Sequence, residues 1–288
     1  MLRFIYVILL NCWKGPYIIP MMRYRANRPA RYTLEERYAY AKWVVHQMQH
    51  TGKITTRAYG VENLPKKNGY VLYSNHQGKY DALGIVDMHE RPCSIVMDEA
   101  RSHVMLTAQF LDLLESKRLV LDDMRQGLKI MKEITREIKE DHKNFLIFPE
   151  GGYTDNHNMV CEFKGGSFKC AQKAKAPIVP VAIVNSWKAF ESRGLKPVET
   201  QVHFLPPLYY EEYEKMSTNE IASVVQSRIQ QAVLDNLSGK DLEALQKQLE
   251  ESAKAKENEA LFEACKQVEA YLWQPVYKAM VKTVDLFG

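Results

Sequence analysis

The chain has 288 residues, 46% of them hydrophobic and 26% charged, with a net charge of +4. That length supplies one sizeable core, or one domain with additions. So modest a charge argues against a dedicated nucleic-acid binder, which concentrates a basic face, and no nucleic-acid partner is expected. Five cysteines (Cys12, Cys93, Cys161, Cys170 and Cys265) are odd in number, widely spaced and lack a Cys-x-x-Cys pair. No disulfide framework and no metal site are expected, and a reducing cytosol fits best. Cys161 and Cys170 read as small buried apolar residues.

Residues 1–34 contain six basic side chains (Arg3, Lys14, Arg23, Arg25, Arg28 and Arg31) and no acidic one. Within them, residues 4–22 form an apolar run interrupted by Asn11, Lys14, Gly15 and Pro16. A spanning helix needs about 20 nearly uninterrupted apolar residues. No small-residue cleavage site follows, so a secretory signal is not expected. Residues 1–32 therefore read as a membrane-associating helical segment on a membrane surface. Trp13, Tyr17 and Tyr24 suit the interface, and Arg23, Arg25, Arg28 and Arg31 would meet anionic head groups. The competing reading is an amphipathic helix packed on the protein's own core.

Residues 33–237 carry an α/β pattern. Thr33-Leu-Glu-Glu36 has the form of a capping box and opens a helix that Gly52 closes. Strands are expected at residues 54–59, 70–74 and 93–97, with a helix over 82–89 between the last two. A single helix is expected over 99–115, then a short strand within Lys117-Arg-Leu-Val-Leu121, then a helix over 126–140 with Leu128, Met131, Ile134 and Ile138 at helical spacing. Further strands fall at Phe145–Phe148, Pro177–Val184 and Gln201–Leu205. Pro180 removes a ladder donor, which places its strand at an edge or a bulge. Ser217 caps a helix to about Leu237. Residues 238–288 read as a helical extension, one long helix to about Leu272 broken by Pro275 and followed by an apolar piece.

Two strand ends carry the chemistry. Tyr70 to Tyr73 run into Ser-Asn-His-Gln-Gly-Lys-Tyr-Asp81, a polar loop with a histidine and, five residues later, an aspartate. His76 is the natural general base and Asp81 the carboxylate that orients it. Phe145–Phe148 likewise runs into Pro149-Glu150-Gly151-Gly152. Strands joined by helical crossovers are parallel and end on one edge, so His76 and Glu150 should face one crevice across 74 residues. The turn needs only Pro149 and Gly151, so packing does not explain Glu150. Near that crevice, Lys164 and Lys169 in a glycine-rich loop favour an anion at a helix start. Lys117, Arg118 and Arg125 bracket a strand; they either hold a phosphate or form a solvated cluster.

Taken together, Asn75-His76 with Asp81, Phe148-Pro149-Glu150-Gly151 and Ala176-Pro177-Ile178-Val179-Pro180-Val181 resemble the first, third and fourth signatures of the glycerolipid acyltransferases. The resemblance covers roughly residues 54–210 and is greatest to the bacterial 1-acyl-glycerol-3-phosphate acyltransferases. It implies a mixed, largely parallel sheet flanked by helices, at the cytoplasmic face of the cell membrane. It also implies transfer of an acyl chain from acyl-CoA or acyl carrier protein, as co-substrate without further cofactor, to lysophosphatidic acid. The family's catalytic pair falls on His76 and Asp81, and its acceptor-site residues on Glu150 and Gly151, with Asn75 in the same signature. The second signature's arginine is displaced here, which leaves Arg118 or Arg125 for the phosphate beside Lys164. The usual Thr-Arg after Glu-Gly is replaced by Gly152-Tyr153. These departures bear on the acceptor, so glycerol 3-phosphate or another lysolipid remains an alternative, as do hydrolysis and a non-catalytic membrane-binding role. No Gly-x-Ser-x-Gly elbow is present, so direct transfer without an acyl-enzyme is expected.

Overall fold

The computed structural model describes residues 2–120, 123–192, 194–256, 266 and 268. Helices α1 (Leu2–Asn11) and α2 (Gly15–Ala26) are joined by one 3-10 turn, and α3 (Leu34–Gly52) opens on the expected Thr33–Glu36 capping box. There follow β1 (Ile54–Tyr59), β2 (Val71–Ser74), α4 (Asp81–Met88) and β3 (Cys93–Asp98). Next come α5 (Glu99–Ser102), α6 (Thr107–Leu113), β4 (Lys117–Leu119), α7 (Met124–Glu140) and β5 (Asn144–Ile147). The chain continues through α8 (Lys169–Ala174), β6 (Ile178–Val184), β7 (Val198–Phe204), α9 (Tyr210–Tyr213), α10 (Thr218–Asn236) and α11 (Gly239–Lys256).

The strands form one sheet in the order β1-β7-β6-β2-β5-β3-β4. Every pairing is parallel except that of β6 with β7. The sheet is therefore mixed and largely parallel, and its central strands are buried on both faces, as crossover connections require. Val71, Tyr73, Phe145, Ile147 and Ile178 pack under α7, α8, α10 and α11. Alternate residues of the same strands, Leu72, Leu146 and Val179, pack under α2, α3, α4 and α6 on the opposite face.

Two expectations are corrected. Pro180 does not mark an edge, since β6 lies between β2 and β7. It sits opposite Leu205, where β7 has ended, and its carbonyl accepts from the Leu205 N–H. Its missing donor thus falls outside the ladder. The helix expected over 99–115 breaks into α5 and α6, with Leu106 at φ +76°. Only the second half has an apolar stripe to bury, and Val104 and Met105 are left exposed between. Arg3, one of the six basic residues of the N-terminal segment, is buried and donates to the carbonyls of Lys188 and Ala189 and to Ser192 Oγ.

Leu2–Ala26 is long and apolar enough to cross a bilayer, and little of it is buried. It is not detached from the domain. Val7 joins Ile54, Tyr80 and Phe190 in a small cluster, and Ile18 and Met22 pack with α3 and α6 residues. At the other end Leu242, Leu245 and Leu249 of α11 join the core. Leu121, Leu261, Cys265, Leu272, Pro275 and residues 276–287 lie outside the described residues.

Candidate active site

Because β2 and β5 are neighbours and parallel, with Tyr73 opposite Ile147, the loops that leave them share one edge of the sheet. The backbone N–H of His76 donates to Glu150 Oε1 at 3.1 Å. His76 Nδ1 lies 2.6 Å from Asp81 Oδ2. The imidazole stacks on Phe148 at 4.4 Å and meets Tyr153 edge-on at 4.6 Å. Its other nitrogen makes no hydrogen bond among the described residues, and the ring is 19% exposed. This is the arrangement of an oriented base with one nitrogen open to the crevice.

Asp81 is fully buried at the first residue of α4. There it also accepts from the N–H groups of Gln77 and Gly78 and, through Oδ1, from Ser186 Oγ at 2.6 Å. Four donors and a helix N-terminus hold a carboxylate that burial alone would penalise. The loop around it is fastened from several sides. Gln77 donates to Asn158 and to the Ile183 carbonyl, and its Oε1 accepts from the Ser186 N–H. Asn156 donates to the His76 carbonyl at 2.8 Å.

Glu150 is buried, and loss of solvation pushes its carboxyl up to about 8, while hydrogen bonds from His76 and Cys161 act the other way. Cys161 is thus half-buried beside Glu150 instead of lying in the core, whereas Cys170 is fully buried against Tyr73. Gly151 has φ +77°, and a Cβ there would come within 2.6 Å of Lys164 Nζ. The left-handed φ is what favours glycine, since the Lys164 side chain could swing aside, and the contact places Lys164 at the crevice rim.

The remaining expected binding residues do not converge on this point. Asn75 is buried, its amide donating to the Ile183 carbonyl and accepting from the Ile183 N–H. It fastens β2 to β6, and burial keeps its side chain from the open crevice. Arg118 stands on the edge strand β4, paired with Asp112 at 2.6 Å and with Ser102 Oγ at 3.1 Å. Arg125 is exposed on the first turn of α7. Cations that sequence reasoning passed over stand closer: Lys79 and Arg101 lie 5.9 and 5.8 Å from the Tyr153 ring that touches His76. Lys79 lies inside the His-to-Asp loop and Arg101 just past a strand end, and those positions were the available signals. Ser186, Asn156 and Asn158 had none beyond an asparagine-rich stretch. Among the described residues no three metal-ligating side chains gather.

A model of the Acyltransferase family matches residues 55–184, which hold every residue of this loop network except Ser186. That stretch is similar to the Acyltransferase family. Mouse 1-acyl-sn-glycerol-3-phosphate acyltransferase alpha is 30% identical over 162 residues, 54% of this chain and 55% of the mouse protein. The Saccharomyces cerevisiae 1-acyl-sn-glycerol-3-phosphate acyltransferase is 27% identical over 153 residues, 51% of this chain and 50% of its own. The Salmonella typhimurium enzyme of that name is 23% identical over 168 residues, 58% and 68% of the two chains. The chain thus spans about half the length of the first two of these curated relatives. The crystal structure of the Thermotoga maritima LPA acyltransferase, PlsC, superposes with a TM-score of 0.62 at 19% identity, covering 81% of this chain and 94% of that one. The chain therefore shares its fold with PlsC.

Proposed function

We propose that this chain is an O-acyltransferase that moves a fatty acyl group from a thioester, acyl-CoA or acyl carrier protein, to the free hydroxyl of lysophosphatidic acid, giving phosphatidic acid. The observation that carries the reading is the buried Asp81 holding His76 with one ring nitrogen open, at a crevice within a stretch similar to the Acyltransferase family. In the reaction His76 removes the proton from the acceptor hydroxyl as that oxygen attacks the thioester carbonyl. The carbon–sulfur bond breaks, the ester forms, and the imidazolium returns its proton to the leaving thiolate. Asp81 fixes the tautomer and stabilises the imidazolium. Glu150 positions the base through the His76 N–H. Lys79, Arg101 and Lys164, around Tyr153 and Gly151, supply the positive field for the acceptor phosphate.

The acceptor arrives from a membrane surface. Leu9, Trp13 and Tyr17 are 64%, 74% and 58% exposed on the apolar N-terminal helices, an outward face suited to the acyl boundary. Arg28 stacks on Tyr24 at 3.9 Å beside it. The test is an acceptor panel with labelled palmitoyl-CoA: lysophosphatidic acid, glycerol 3-phosphate, lysophosphatidylcholine and no acceptor. Phosphatidic acid as the dominant product supports the reading. Faster release of free fatty acid without acceptor overturns it in favour of hydrolysis.

A further inference from the structure

On the face of the sheet opposite α2, α3 and α6, a groove between α7 and α8 is lined by Leu128, Met131, Lys132, Thr135, Lys169 and Lys173. No acidic residue lines it. Residues 125, 128, 132, 135 and 139 share one stripe of α7, since positions three and four apart are helix neighbours. Arg125 and Lys139 thereby prolong the basic stripe of α7 beyond both ends of the groove, over roughly 21 Å at about 1.5 Å per residue. Arg125, Lys132, Lys139, Lys169 and Lys173 are all exposed, and none makes an ion pair with a carboxylate among the described residues. Other cations of the same layer are paired: Lys117 binds Glu133 and Glu137, and Lys143 binds Glu115.

We propose that this groove docks an acidic helix of an acyl carrier protein, which presents its thioester to the crevice; the inference rests on the acyl-transfer function above. An unpaired positive stripe several turns long, with an apolar floor at Leu128 and Met131, is the complement of an acidic amphipathic helix. The phosphates of a coenzyme are too compact to use its length. A bilayer is disfavoured by position: the apolar N-terminal helices pack with the opposite layer, so the groove opens away from the surface they would enter. The crevice is nonetheless near. α7 and α8 both start where β4 and β5 have ended, on the edge that carries His76, and Lys164 at the crevice rim leads through Gly165–Phe168 into Lys169 of α8.

The test uses the full chain carrying Lys132→Glu and Lys173→Glu, two exposed groups outside the crevice. Rates of lysophosphatidic acid acylation are compared with palmitoyl-carrier protein and palmitoyl-CoA as donors, with vesicle sedimentation alongside. Reversal of two steering charges is expected to lower kcat/KM about tenfold with the carrier protein, and the palmitoyl-CoA rate, which also reports correct folding, should stay within about twofold. An equal fall with both donors overturns the proposal, as does loss of vesicle binding with the carrier-protein rate unchanged. If the wild type transfers from neither donor, the acyl-transfer reading has failed instead. Calorimetric binding of palmitoyl-carrier protein, expected for the wild type and weakened in the variant, then judges the groove by itself.

Discussion

The His76 N–H and the Glu150 carboxylate meet at 3.1 Å across 74 positions of chain, joining the ends of two neighbouring parallel strands into one site. Glu150 pays for that position with its solvation, and its carboxyl is pushed up from 4.5 to about 8. The unfolded chain therefore loses this proton first. The group's stabilising contribution is complete below about 4.5 and is lost as pH rises to about 8, a change on the order of a few kcal/mol. Denaturant midpoints followed from pH 5 to 8.5 should fall by this component in the wild type. In Glu150→Gln, which cannot ionise, the same interval should be flatter.

Asp81 is expected to be structural as well as chemical, since it takes hydrogen bonds from His76, Gln77, Gly78 and Ser186. Asp81→Asn should lower kcat by about 10²–10⁴-fold and cost about 1–3 kcal/mol of stability by leaving a buried donor unmatched. Ser186→Ala removes one bond to the carboxylate and leaves His76 in place. A hydrogen bond to a charged group is worth about 1.5–3 kcal/mol, so kcat should fall by roughly tenfold or more with the acceptor KM unchanged. Steady-state kinetics with thermal unfolding of both variants separates the two effects.

Charge reversal at Lys79 or Arg101, both beside Tyr153, should raise the KM for lysophosphatidic acid about tenfold, by loss of a phosphate contact. Arg118→Ala should not, because its guanidinium is held by Asp112 and Ser102 Oγ, whereas Lys79 and Arg101, although paired with Glu191 and Asp98, also reach the Tyr153 ring. The effect of Arg118→Ala is expected in stability alone, below about 1 kcal/mol for so exposed a pair.

Trp13→Asp with Leu9→Asp places two charges on the exposed face of the N-terminal helices. Sedimentation with anionic vesicles should drop severalfold, and more steeply at high salt if the neighbouring arginines contribute. Acylation of a short-chain, monomeric lysophosphatidic acid should persist, because neither residue lies in the crevice.

Much of the sheet was legible because buried parallel strands leave continuous apolar runs, and the handedness of crossovers then places His76 and Glu150 on one edge. What the sequence hid depends on contacts between distant segments. Ser186 reaches Asp81 from 105 positions away, and no local pattern encodes that. Nor does a local pattern show that Arg3 is buried and satisfied by backbone carbonyls of a loop near residue 188. Asn75 stood in the signature beside His76, but its amide matches the Ile183 backbone. Pro180 was read by the rule for ladders, and only the register shows that β7 stops at Phe204.

The central claim is that His76 acts as the base for acyl transfer to lysophosphatidic acid. Labelled phosphatidic acid formed from palmitoyl-CoA by the wild type and by His76→Ala measures it directly, with far-UV dichroism confirming that the half-buried ring is not needed for folding. Turnover is expected to fall by at least about 10²-fold at unchanged acceptor KM. Turnover within a few-fold of the wild type would contradict the account.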